Sequence, residues 1–210
     1  MKIKICGIHE LEDASICIDE GADALGFIFY PKSPRYIMPK QAKKIIASLP
    51  CFINKVGVFV NEEEDRVREI AEFTGIDTLQ LHGKESPFYC RRFKKRYKII
   101  KSFFPKDESI LSLIGKYSVD GVLLDIPFEE KKECPGKVLK KTVVKDILRK
   151  VKFPVISGGL SPENIESVVK SFHPFAVDVA RGVERLSAKK DKYLIREFVQ
   201  RARKAEREQV

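Results

Sequence analysis

Several residues with reactive side chains follow runs of apolar, β-branched residues along this chain. Cys6, His82, Asp125 and Asp178 stand at or near the carboxyl ends of such runs, and Gly158-Gly159 follows another. A lone buried cysteine is often only a small hydrophobic residue, and an aspartate after a strand often caps a loop. The shared position after so many strands favours function instead, with the two glycines opening backbone N–H groups to an anion.

The elements that must position these residues alternate along almost the whole chain. Eight short runs of strand character are separated by stretches whose apolar residues recur at helical spacing. No linker, repeat or low-complexity segment interrupts this order. The predicted strands are 3–6, 24–29, 53–60, 78–81, 99–103, 121–125, 154–157 and 175–179.

Eight βα units predict an α/β protein with a closed (β/α)8 TIM barrel, and residues 1–210 are expected to form a single domain. Near-continuous apolar strands suit a parallel sheet that is covered on both faces. A doubly wound open sheet is the alternative, but Cys6-Gly7-Ile8-His9 lacks the glycine-rich turn of a dinucleotide-binding domain. In a barrel the carboxyl ends of all strands share one face, so the reactive residues converge there.

Four positions carry helix-start signals. Ser86 and Ser161 each precede a proline, which fits the first position of a helix. Asn61 and Asp107 precede acidic first turns. We expect these four side chains to cap the helices that follow.

The composition is typical of a globular protein. Hydrophobic residues make up 43% of the chain, and its apolar runs are far shorter than the roughly 20 residues of a membrane helix. The five cysteines contain no Cys-x-x-Cys pair, which disfavours a disulfide framework and a zinc site. We therefore expect a cytoplasmic protein with free thiols and no bound metal. A low content of Asn and Gln beside many charged residues favours thermostability.

The formal net charge of +10 raises the question of an acidic partner. The purest basic block, residues 91–98, contains six basic residues and no acidic one. A nucleic-acid-binding protein is the alternative from another class, but it leaves the reactive strand ends unexplained. We interpret the block as a solvated helix end and predict a phosphorylated small molecule as the partner, without nucleic acid or membrane. The chain is expected to be a monomer or a homodimer.

Glycine-bearing loops follow the last two predicted strands. Gly158-Gly159 follows the seventh strand, and Arg181-Gly182 follows the eighth. Barrels commonly bind phosphate between these two loops. We expect all four residues to bind the phosphate, although Arg181 could instead turn outward to a surface carboxylate such as Glu184.

Motifs spread almost from end to end make the chain resemble the phosphoribosylanthranilate isomerase family of tryptophan biosynthesis. The motifs are Lys4-Ile5-Cys6-Gly7, Gly26-Phe27-Ile28-Phe29-Tyr30, Lys32-Ser33-Pro34-Arg35-Tyr36, Val56-Gly57-Val58-Phe59-Val60, Gln80-Leu81-His82-Gly83, Leu123-Leu124-Asp125, Gly158-Gly159-Leu160, Glu163-Asn164, Val177-Asp178-Val179, Gly182-Val183-Glu184 and Lys190-Asp191.

The resemblance implies a cofactor-free conversion of N-(5'-phosphoribosyl)anthranilate to 1-(2-carboxyphenylamino)-1-deoxyribulose 5-phosphate. It implies Cys6 as general base and Asp125 as general acid, Arg35 as the ligand of the anthranilate carboxylate, and His82 and Asp178 beside the sugar. These roles suit an Amadori rearrangement, because a protonated carboxyl group opens the ribose ring and a thiolate then removes the C2' hydrogen. We expect the surroundings of Cys6 to favour that thiolate.

Two segments depart from the family pattern. The sixth loop, residues 129–141, contains Glu133-Cys134-Pro135-Gly136 where the family has a glycine-rich loop and a Trp, and this chain has no Trp. In the eighth loop Ala180-Arg181 replaces a serine pair, so two hydroxyl donors give way to one cation. The histidine-pathway isomerase, which uses two carboxylates for the same rearrangement, is the enzyme alternative, and Cys6 argues against it.

Overall fold

The computed structural model describes residues 1–105, 109–126, 141–186 and 188–208. Within them, eight parallel strands pair in chain order and β1 pairs with β8, which closes a barrel. The strands are β1 (Lys2–Cys6), β2 (Ala24–Ile28), β3 (Asn54–Phe59), β4 (Thr78–Leu81), β5 (Lys98–Phe103), β6 (Gly121–Asp125), β7 (Pro154–Ser157) and β8 (Ala176–Val179). The predicted (β/α)8 barrel is confirmed, and the open-sheet alternative is wrong.

Helices alternate with the strands and cover the outside of the barrel. They are α1 (Leu11–Asp19), α2 (Pro39–Ala47), α3 (Glu64–Thr74), α4 (Pro87–Arg91), α5 (Ile110–Ile114), α6 (Lys141–Lys150), α7 (Ile165–Phe172) and α8 (Lys192–Arg207). A short helical turn, Arg181–Val183, and a hairpin of β9 (Glu184–Leu186) and β10 (Lys189–Lys190) lie between β8 and α8. In the described part of the chain, no helix has the length and apolar character to cross a membrane.

The predicted strands agree with the observed ones to within one residue at each end. Strands β4, β6 and β7 have the predicted bounds, 78–81, 121–125 and 154–157. The agreement has a simple cause. A strand that is covered by helices on one side and by the barrel interior on the other is mostly apolar, so its ends can be located in the sequence.

The helix caps were less predictable. Ser86 caps α4 as expected, because its Oγ accepts a hydrogen bond of 3.1 Å from the backbone N–H of Tyr89. Asn61 does not cap α3, where Glu63 occupies the cap position. Asn61 instead adopts a left-handed conformation with φ of 50° and accepts a hydrogen bond from the loop after β4. The prediction for Asp107 lies outside the described residues.

The interior of the barrel changes from apolar to charged toward the carboxyl ends of the strands. Leu123, Val155 and Ala176 form a buried cluster. Beyond it, Lys4 Nζ lies 2.8 Å from Asp178 Oδ1, and about 5% of each side chain is exposed. A buried charge is tolerated when it is paired, so each of these two groups stabilises the other.

The basic block at 91–98 is partly neutralised by acidic side chains of α3. Arg92 Nε lies 3.0 Å from Glu64 Oε2, and Arg96 forms an ion pair with Glu72. Both arginine side chains are more than half exposed. These contacts support the interpretation of the block as a solvated surface, and the absence of a nucleic-acid partner remains a prediction.

Candidate active site

A cleft of about 490 Å³ opens at the carboxyl ends of the strands. Seven of the nine residues that the sequence predicted for the site line it, and they come from four different βα segments. They are Arg35, Asp125, Gly158, Gly159, Asp178, Arg181 and Gly182. The other two adjoin this set, since Cys6 lies beside Asp178 and His82 beside Asp125. The topology therefore brings the predicted residues together.

Cys6 ends β1 in a buried and highly charged environment. Burial raises the pKa of its thiol above the ordinary value of 9.0, and the neighbouring Asp178 carboxylate raises it further. The ammonium groups of Lys4 and Lys190 act in the opposite direction without cancelling the effect of burial. Our expectation of surroundings that favour the thiolate is therefore wrong, because desolvation outweighs the two cations.

His82 links β4 to the end of β6. Its Nε2 lies 3.6 Å from Asp125 Oδ2, while its Nδ1 lies 3.0 Å from the amide nitrogen of Gln80. Since an amide nitrogen can only donate, Nδ1 is the acceptor in this contact, and Nε2 is the ring nitrogen that faces Asp125. The ring edge packs against Phe104 at 5.3 Å between centroids. Gln80 and Phe104 thus orient the imidazole toward the carboxyl group.

The two glycine loops are packed against their neighbours so closely that no side chain fits. Gly158 has a φ of 97°, and a Cβ on it would collide with Ile126 O and Asp125 Oδ1. A Cβ on Gly182 would collide with the carbonyl oxygen of Leu160. The loops after β7 and β8 are therefore in direct backbone contact, which only glycine at these positions permits.

Asn164 braces the first of these loops. Its Oδ1 accepts a hydrogen bond of 3.0 Å from Ser161 N, and its Nδ2 donates one of 2.8 Å to Gly159 O. Asn164 also precedes α7 directly, so the predicted cap at Ser161 is wrong. The proline after Ser161 suggested a helix start there, but residues 162–164 form a turn and the helix begins at Ile165.

Arg181 lines the cleft together with Gly158 and Gly159. Its guanidinium group is exposed and forms no hydrogen bond or ion pair within the described ranges. Glu184, which the sequence suggested as a surface partner for Arg181, has a buried side chain and binds Arg35 and Lys190 instead. The geometry thus removes the competing partner that the sequence suggested for Arg181.

Arg35 forms a two-point ion pair with Glu184. Its Nε and Nη2 donate hydrogen bonds of 2.7 and 2.6 Å to the two carboxylate oxygens. This fork geometry is the strongest form of an arginine–carboxylate contact, and it fixes the orientation of the guanidinium group at the cleft. Arg35 belongs to the loop after β2 and Glu184 to β9, so the ion pair connects distant parts of the chain.

The N-(5'-phosphoribosyl)anthranilate (PRA) isomerase family model matches residues 3–201. The chain belongs to this family. The enzyme of this name from Thermotoga neapolitana is 41% identical over 203 residues, which cover 97% of this chain and 98% of that protein. The crystal structure of the Thermotoga maritima enzyme superposes with a TM-score of 0.89 at 39% identity, covering 97% and 99% of the two chains. A related crystal structure contains reduced 1-(o-carboxyphenylamino)-1-deoxyribulose 5-phosphate, with a TM-score of 0.88.

Membership of the PRA isomerase family confirms the resemblance that the motifs indicated. The chain is an isomerase of tryptophan biosynthesis, and the closed barrel is the fold of its relatives. The expected thermostability fits the relatives from Thermotoga. The unusual sixth loop, 129–141, falls almost wholly outside the described residues.

Sequence reasoning gave no role to three charged residues of this PRA isomerase site. Lys4 touches the predicted base, while Glu184 and Lys190 connect to Arg35. All three are part of the motifs that carry the resemblance, but charged side chains in a sequence read as solvent-exposed by default. A signal was nevertheless present, since Lys4 stands inside β1 between Ile3 and Ile5.

We predict that Asp178→Asn lowers the pKa of the Cys6 thiol. The carboxylate raises that pKa, so removing its charge should let the thiolate form at lower pH. The ultraviolet absorbance of the thiolate, measured against pH and corrected with matched Cys6→Ala proteins, follows the change. Asp146→Asn on the exposed face of α6 serves as the control and should leave the titration unaltered. An unchanged or raised pKa in Asp178→Asn would contradict the electrostatic account.

Proposed function

We propose that Cys6 and Asp125 carry out the isomerisation as general base and general acid. The supporting observation is that a buried thiol at the end of β1 and a partly exposed carboxyl group at the end of β6 adjoin one cleft. Strands β6 and β1 are three positions apart around the barrel, so the two groups approach a substrate from different sides. Proton donation and proton removal can then occur at different atoms of one sugar.

The reaction needs both groups in sequence. Asp125, as a carboxylic acid, gives its proton to the ribose ring oxygen while the nitrogen lone pair forms a C1' iminium, and the ring opens. Cys6, as a thiolate, takes the C2' proton, and the resulting enolamine tautomerises to the ketone. The positive charge of the iminium lowers the pKa of a nearby thiol, which favours the thiolate at the step that uses it. His82, whose Nε2 faces Asp125, stabilises the carboxylate left by the first step by donating a hydrogen bond to it.

The remaining site residues are proposed to hold the two ends of the substrate. Arg35 binds the anthranilate carboxylate, for which a planar guanidinium group is suited. The backbone N–H groups of Gly158, Gly159 and Gly182 bind the phosphate with the Arg181 side chain beside them. Asp178 and His82 lie between these ends, next to the sugar.

We also propose a homodimer that forms through the opposite end of the barrel. A related structure is described as that of monomers of the dimeric Thermotoga maritima enzyme, and it is 37% identical with a TM-score of 0.87. Phe52, in the loop before β3, is 94% exposed in this chain and borders an apolar hollow of about 330 Å³. Phe175, 47% exposed, lines the same hollow. A second copy would remove this apolar surface from water. A cytoplasmic location of the assembly fits the free cysteines.

The acid–base assignment predicts large losses of turnover in two variants. Cys6→Ser keeps the shape of the side chain but raises its pKa by several units, and Asp125→Asn removes the transferable proton. Each should lower kcat by ~10²-fold or more, as followed by the loss of anthranilate fluorescence from PRA. Cys51→Ser, which changes an exposed cysteine, is the matched control and should retain turnover. Near-full turnover of Cys6→Ser would show that the thiolate mechanism is wrong.

The phosphate assignment predicts a ligand-selective effect of Arg181→Ala. A hydrogen bond to a charged group contributes about 1.5 to 3 kcal/mol, so the Kd of a phosphorylated product analogue should rise about ten- to hundredfold. The Kd of the dephosphorylated analogue should barely change. Arg185→Ala, at an exposed arginine four residues further on, is the control. Equal effects of Arg181→Ala on both ligands, or none on either, would contradict the assignment.

The dimer proposal predicts that Phe52→Lys yields a monomer, because a charge in the apolar contact would have to be buried. Light scattering should give twice the chain mass for the wild type and the chain mass for the variant. Phe88→Lys, at another exposed phenylalanine, should leave the dimer intact. A monomeric wild type, or a dimeric Phe52→Lys, would overturn the proposal.

A further inference from the structure

The hairpin after β8 places a buried carboxylate and a buried ammonium group beside the mouth of the barrel. The side chain of Lys190 is fully buried, and that of Glu184 is 2% exposed. Neither residue has a part in the acid–base chemistry proposed above. Burying two charges costs free energy, and close contacts must offset that cost. These contacts identify the parts of the site that Lys190 and Glu184 hold in place.

Glu184 has a complete set of four donors. Oε1 accepts hydrogen bonds from Arg35 Nε at 2.7 Å and from Lys190 Nζ at 2.8 Å. Oε2 accepts them from Arg35 Nη2 at 2.6 Å and from the backbone N–H of Ala188 at 3.1 Å. These partners hold the pKa of Glu184 below its ordinary value although burial opposes ionisation. The carboxylate is therefore ionised and fixed.

Lys190 in turn connects three parts of the site. Besides Glu184, its Nζ donates hydrogen bonds of 2.7 Å to Cys6 O and 3.0 Å to Ala180 O. Cys6 O belongs to the end of β1, and Ala180 O precedes the turn that bears Arg181 and Gly182. The three N–H groups of the ammonium thus bind the backbone of Cys6, the backbone of Ala180 and the carboxylate that holds Arg35.

The charges of this cluster determine what Arg35 can do. Glu184 alone would neutralise Arg35 and weaken its attraction for a ligand carboxylate. Lys190 restores the balance, since two cations and one anion leave a net charge of +1. Glu184 occupies Nε and Nη2 on one edge of the guanidinium group, and Nη1 donates to no acceptor in the described part of the protein. The other edge, formed by Nη1 and the second proton of Nη2, remains open to a carboxylate at the cleft.

We propose that Lys190 is a positioning residue that, through Glu184, holds Arg35 in a carboxylate-binding orientation and keeps the cluster cationic, while it ties the end of β1 to the phosphate loop. Glu184 is the second positioning residue, because its carboxylate binds both Lys190 and Arg35. The inference rests on the proposed role of Arg35. The proposal adds Lys190 and Glu184 as supporting residues for Arg35. In this geometry they contact neither the reacting atoms nor the substrate.

The proposal is tested with Lys190→Met and Glu184→Gln, and with Lys189→Met as the matched control on the same hairpin. Two properties are measured without turnover: the Kd of reduced 1-(o-carboxyphenylamino)-1-deoxyribulose 5-phosphate by calorimetry, and the titration of the Cys6 thiolate by absorbance. The groups that face Cys6 are Lys4, Asp178, Arg35 and Lys190. Only Lys190→Met removes one of them.

Both variants should raise the Kd at least tenfold, since each breaks charge-assisted hydrogen bonds of the cluster. Lys190→Met should also raise the pKa of the Cys6 thiol, because the ammonium group lowers it, whereas Glu184→Gln should not raise it. Lys189→Met should change neither property. Wild-type affinity of Lys190→Met, or equal thiol titrations in Lys190→Met and the wild type, would overturn the proposal.

A second comparison decides the matter if Lys190→Met does not fold. The Kd of Glu184→Gln is measured for the same ligand and for its counterpart that lacks the aryl carboxylate. A larger loss for the carboxylated ligand supports the positioning of Arg35, and equal losses refute it. Failure of the acid–base assignment would appear separately, as turnover retained by Cys6→Ser, and would leave these binding results intact.

Discussion

Closure of the barrel by β1 against β8 is the constraint on which the site depends. The register of this pair sets Lys4 opposite Asp178, and their ion pair lies inside the barrel at the junction of the first and last strands. A slip by one residue would turn every side chain of β1 to the other face of the sheet. Cys6 would then leave the mouth, and two charges would lose their partners. The buried ion pair therefore favours the one register in which the site exists.

The distribution of charge at the mouth matches a substrate that is anionic at both ends. Arg35 with Glu184 and Lys190 forms one cationic region, and Arg181 with the glycine loops forms another. Between them the Lys4–Asp178 pair is neutral overall and lies next to Cys6. With the assignments proposed above, the two cationic regions would orient the ligand without placing strong positive charge at the carbon that loses its proton.

The sequence predicted the fold more completely than it predicted the site. Buried parallel strands are mostly apolar, so their number and their bounds could be predicted from the sequence. Barrel topology also predicted that the residues at the strand ends, such as Asp125 and Asp178, lie at one cleft. What the sequence could not provide was the state of Cys6, because its pKa depends on the balance between burial and two lysines. Lys190 lies 184 residues from Cys6 along the chain, and no local pattern indicates that contact.

The contact between Gly182 and the carbonyl of Leu160 brings the loops after β7 and β8 together through their backbones. A side chain at position 182 would displace the loop after β7, and Asn164 holds that loop through two hydrogen bonds to its backbone. If these loops hold the phosphate as proposed, their backbone donors are already in place, so little conformational entropy is lost on binding. The phosphate would then be the fixed end of the substrate, and adjustment to the rest of a ligand would come from the opposite side of the mouth.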